Sequence, residues 1–139
     1  MNDLSPQLSP RQTLLLILIP LLLTFACQRL YLHFAGVTHV YPGGYLVHHL
    51  FWGVGLVMPA SFVLAFGPRS RRSAILSRVA LGSGSAMILD EIVYLVATGA
   101  SDADYISPLS LRGALVFITL GVVLLWFLYK LKSSKPHET

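Results

Sequence analysis

The sequence predicts an all-α protein: one bundle of four transmembrane helices in up-down-up-down order. Three observations carry this. Of 139 residues, 55% are hydrophobic and only 12% charged, and the mean hydropathy is +0.69. A soluble domain usually carries about 25% charged residues, so a chain with half that supply cannot wet the surface of a small globule. Four apolar stretches each match the roughly 20 residues that cross a bilayer. Lysine and arginine also fall in alternate connections only, as they do when short loops sort across a membrane. The length suits a single integral membrane domain, 1–139.

The first span is expected at about 12–34 (QTLLLILIPLLLTFACQRLYLHF). Its opening, Arg11 and an apolar run ending Leu-Thr-Phe-Ala-Cys27, loosely resembles a bacterial lipoprotein signal. Bulky Phe25 and the apolar continuation through Leu30, Tyr31, Leu32 and Phe34 favour a retained helix instead. The second span is expected at about 44–66, after a turn containing Pro42, Gly43 and Gly44. The third is expected at about 74–98, after the loop GPRSRRS. The fourth is expected at about 108–131, opening on Pro108, a residue favoured in the first turn. Connections this short force neighbouring spans to run antiparallel. Neither alternating polarity nor short apolar runs are present, so strands are excluded.

Charge placement gives the orientation. Arg69, Arg71, Arg72 and Arg78 follow the second span, Lys130, Lys132 and Lys135 end the chain, and Arg11 begins it, while the first and third loops carry no lysine or arginine. Both termini and the middle loop are therefore expected in the cytoplasm, in a cell inner membrane, with Asp102 and Asp104 outside. The formal net charge of +4 then reflects topology and attraction to membrane lipids. It implies no nucleic-acid partner.

The ionisable residues inside the spans share one level. Arg29 and His33 in the first, His48 and His49 in the second, Asp90 and Glu91 in the third and Arg112 in the fourth all fall roughly 2 to 12 Å below the outer boundary, at ~1.5 Å per residue. An ionised side chain in mid-span costs about 2.5–3.5 kcal/mol on insertion scales, so two adjacent acids need compensation. Arg29 and Arg112 are the expected partners, either neutralising the acids or, with His33, holding an anion such as a lipid phosphate or a carboxylate. Residues i and i+1 diverge by about 100° on a helix. Each pair, His48/His49 and Asp90/Glu91, therefore reaches two different neighbours.

Three uses fit this constellation. His48, His49, Asp90 and Glu91 supply the nitrogen and oxygen donors of a divalent metal site, zinc or iron, although no E-x-x-H spacing on one helix face supports it. Haem between His33 and His48 or His49 is the weaker variant. The cluster also reads as a polar lock between helices, in a non-enzymatic module of a larger complex. A proton-coupled carrier is the third use, and with four spans it would need a dimer. The single cysteine, Cys27, excludes an internal disulfide and any multi-cysteine site. It reads as a small buried side chain.

Other residues have structural readings. Gly82-Ser-Gly-Ser-Ala86 offers small residues for close helix contact, with Gly53 and Gly55 as partners on the second span. Pro20 and Pro59 are expected to kink their helices. Tyr31, Tyr41, Tyr45, Trp52 and Tyr105 suit one interfacial aromatic belt, Trp126 and Tyr129 the other. Ser107 and Ser110 suit caps at the start of the fourth span.

Two segments, Tyr45-Leu-Val-His48-His49-Leu-Phe-Trp-Gly53 and Leu81-Gly82-Ser-Gly84-Ser-Ala-Met-Ile-Leu89-Asp90-Glu91, followed by Tyr105 and Ser110-Leu111, resemble a family of small prokaryotic integral membrane proteins of unknown function. Leu50 stands where that family has a tyrosine. The resemblance implies a four-span protein in which the histidine pair and the Asp-Glu pair belong together. It implies no reaction.

Overall fold

The computed structural model describes residues 8–37, 41, 43, 47–68, 70–99 and 101–134. Pro42, Gly44, Tyr45, Arg69 and Lys135, used above, lie outside them. Five helices make up the described chain: α1 (Pro10–Ala35), α2 (His49–Phe66), α3 (Arg71–Ala97), α4 (Asp102–Tyr105) and α5 (Pro108–Ser133). No strand occurs among the described residues. The four long helices are each long and apolar enough to cross a membrane. Large apolar side chains such as Phe34, Phe51, Phe62, Phe66, Leu120 and Phe127 lie exposed on the bundle, as they would against lipid tails.

Local chemistry sets the helix ends. Ser9 and Gln12 form a reciprocal capping box before Pro10. At the other end Gly36 stops α1 with φ +73°, a left-handed conformation that glycine takes without a Cβ clash. Ser70 caps α3 through the Ser73 amide. Ser107 caps α5, accepting from the Ser110 amide ahead of Pro108, as its sequence suggested. Both Pro20 and Pro59 lie inside continuous helices. Two differences from the sequence reading concern the site. The described helix α2 starts at His49, five residues beyond the expected boundary, so the two histidines sit at its mouth. The third loop is not plain: Ser101 and Asp104 form a second capping box that winds α4.

The bundle is built around α3. It packs against α1, α2 and α5, and α1 also touches α5. In its most apolar stretch 33% of residues are buried, against 6% in α1 and 11% in α2 and α5, which marks α3 as the central helix. Small residues permit this. Gly82 and Gly84 are two positions apart, about 200° around the helix, and face different partners. A Cβ on Gly82 would strike the Ile17 carbonyl of α1, whereas one on Gly84 would lie 2.6 Å from the Gly53 carbonyl of α2. Gly53 is thus the partner, and a Cβ on Gly55, also expected there, would meet nothing within 4 Å among the described residues. A small apolar core of Leu21, Ala86 and Ile118 joins α1, α3 and α5.

Candidate functional site: a buried polar cluster at one end of the bundle

Side-chain contacts bring together the C-terminal ends of α1 and α3 and the N-terminal ends of α2 and α5. That meeting establishes the alternating course of the chain and defines the cluster end. Asp90 and Glu91 are its centre, with relative exposures of 0% and 1%. As the 100° divergence requires, they serve different neighbours.

Asp90 is held from the α1 side. Arg29 Nε donates to its Oδ1 at 2.5 Å, and Nη2 donates to the Asp90 carbonyl at 3.2 Å and to Ser110 Oγ at 3.3 Å. Nη1 donates to the Tyr105 carbonyl at 3.4 Å. One guanidinium therefore ties α1 to α3, α4 and α5. The Tyr105 hydroxyl donates to Asp90 Oδ2 at 3.0 Å. Burial, then the nearby Asp90 carboxylate, pushes the Tyr105 phenol far above its ordinary pKa, so it stays a proton donor.

Glu91 is turned to α2. Its Oε1 lies 2.6 Å from His48 Nδ1, and its Oε2 accepts from the Leu50 amide at 2.7 Å. The residue preceding α2, His48, makes no side-chain cap, and the first turn contains no acid. Glu91 supplies both: an acceptor for an orphan amide and a negative charge at the positive end of the helix. His49 lies between the acids, 3.4 Å from Asp90 Oδ2 and 3.4 Å from Glu91 Oε2. The Tyr105 hydroxyl is 3.0–3.1 Å from both of its ring nitrogens. Tyr94 packs on Tyr105 with ring centroids 4.6 Å apart and lies beside His48.

Five of the seven expected residues thus meet: Arg29, His48, His49, Asp90 and Glu91. Two do not. Arg112 is exposed and has no ion pair among the described residues. Ser110, fully buried, is the α5 residue that faces the cluster, and Arg112, two positions on, points roughly the opposite way. His33 is also exposed, edge-on to Phe34. Tyr105, read as a belt residue, is buried at 6% exposure, because α4 folds it back over Asp90. Cys27, read as buried, is exposed. Tyr105 and Ser110 are the cluster members that the sequence reading missed. The Ser101-x-x-Asp104 cap spacing was the available signal for the first.

Among the described residues no three His, Cys, Asp or Glu side chains are grouped as a metal site would group them. Hydrogen bonds and ion pairs occupy the carboxylate oxygens instead. Comparison with protein families, curated proteins and solved structures returns no match. The resemblance seen in the second to fourth spans therefore gains no support from them, and the chemistry rests on the site itself.

Proposed function

We propose that this is a multi-pass membrane protein whose polar cluster binds and releases one proton at the outward end of the bundle. The charge count carries the reading: two carboxylates with 0% and 1% exposure lie beside a single arginine. A buried charge without a partner is costly. With Arg112 outside the cluster, one proton on the His48, His49 and Glu91 group completes neutrality. The contacts offer that proton a continuous path. His48, with 25% of its side chain exposed, is the entry; Glu91, His49 and the Asp90–Tyr105 pair follow within 2.6–3.4 Å of one another. Such a unit is one half of a proton-coupled carrier, with a second copy or a larger membrane complex supplying the rest.

Infrared difference titration of the detergent-purified protein tests this. Between alkaline and acidic pH one proton per chain should be taken up, with imidazole and carboxylate bands changing together. Glu91→Gln should abolish the paired change. An unchanged spectrum over that interval would overturn the reading. Zinc or iron, for which the same four side chains carry donors, would have to enter by displacing that proton. Proton release on adding either metal, at one equivalent, would replace the proton reading with a metal site.

A further inference from the structure

A second feature lies beside the cluster and shares only Arg29 with the proton reading. A cavity of about 280 Å³ opens between α1, the turn after α4 and the first turn of α5, lined by Arg29, Leu32, His33, Ile106 and Leu111. We propose that it seats the phosphate head group of an anionic phospholipid.

The lining offers N–H donors on one side and is apolar on the other. Arg29 and His33 are one helical turn apart on α1, and Leu32, Ile106 and Leu111 form the remaining walls. Among the described residues no acidic side chain lines the cavity. Asp90, fully buried, has its Oδ1 engaged by Arg29. A guanidinium has five N–H donors. Four hydrogen bonds from Arg29 are directed to Asp90 Oδ1, the Asp90 carbonyl, Ser110 Oγ and the Tyr105 carbonyl, which leaves one N–H on Nη1 for an incoming anion. His33 has no ion pair among the described residues and contributes a further donor. Arg112 follows Leu111 and is exposed at the same end, within reach of a lipid phosphate layer by the length of its side chain.

Position and size select a lipid head over other anions. The cavity lies at the ends of four membrane-length helices, the level of a phosphate layer. Its volume is just under the roughly 300–1,000 Å³ of sites that enclose a whole small molecule, so a head group fits and acyl chains do not. Leu111 and Leu115, both exposed and one turn apart on α5, continue the apolar wall along which chains can run.

Native mass spectrometry of the detergent-purified protein, with phosphatidylglycerol, phosphatidylcholine or inorganic phosphate as probe, tests the proposal. One phosphatidylglycerol per chain should be retained and should raise the thermal midpoint; neither other probe should do so. His33→Ala and the cavity-filling Leu111→Trp should each weaken phosphatidylglycerol retention by about tenfold. Both leave the Arg29–Asp90 pair in place, and Ile106→Trp repeats the filling test if either melts early without lipid. Equal retention of phosphatidylcholine would overturn the proposal. So would wild-type retention by the filled variants, or an equal shift from inorganic phosphate alone.

Discussion

The two halves of this bundle are held by different forces. Away from the cluster, α3 meets its neighbours through Gly82 against Ile17, Gly84 against Gly53, and Leu21, Ala86 and Ile118. At the cluster end the same helix is joined to the others by Arg29, Asp90, Glu91, His48, Tyr105 and Ser110. Lipid tails are as apolar as leucine, so burying apolar surface does little to associate helices inside a membrane. Close approach and hydrogen bonding remain, and the chain places one in each half. The first is indifferent to protonation. The second is built from titratable side chains.

The largest effect should come from breaking the polar half. Arg29→Leu leaves Asp90 buried without its cation and should cost about 3–5 kcal/mol, measured by reversible unfolding in mixed micelles. Adding Asp90→Asn should recover part of the loss. Arg112→Leu, in contrast, should change stability by less than about 0.5 kcal/mol. Equal losses from the two arginines would remove the distinction drawn between them.

The apolar half breaks next. Gly82→Val would drive a side chain into the Ile17 carbonyl and should cost about 1–3 kcal/mol, the usual range for overpacking. That loss should be the same at pH 8 and at pH 5, since nothing in this contact titrates. A pH-dependent loss would show that the halves are coupled.

Glu91→Gln keeps an acceptor for the Leu50 amide but removes the negative charge at the start of α2. A loss of about 1 kcal/mol is expected from the helix-dipole effect, with faster hydrogen exchange confined to the first turn of α2. The smallest effect lies outside both halves. Hydrogen bonds from the Ser101 hydroxyl and then the backbone hold the Asp104 carboxyl below the usual aspartate range. Its contribution to the α4 cap is therefore full above about pH 4, the unfolded value, and fades as pH falls through the lowered folded value. Exchange of the Asp104 amide should quicken only there.

The four long helices, their alternation and the level of the polar residues were legible because each is a property of one segment: an apolar run, a short connection, a count of residues from an end. The divergence of Asp90 and Glu91 followed from helical geometry alone. What could not be read was which face of each helix meets α3. Ser110 and Arg112 are both near the start of α5, and charge favoured the arginine, yet rotation of the helix turned the serine inward. Tyr105 looked like any interfacial tyrosine until α4 bent it over Asp90. The start of α2 carries no local cap to mark it.

That last feature bears on how the protein is made. Leu50 precedes its capping carboxylate, Glu91, by 41 residues. At the usual ~5–20 residues per second of synthesis, Glu91 is translated about 2–8 seconds after Leu50. Until Glu91 is beside them, the leading amides of α2 have no acid in their own first turn to accept from them. The cap of α2 is thus completed by the α2–α3 hairpin and not by either helix alone.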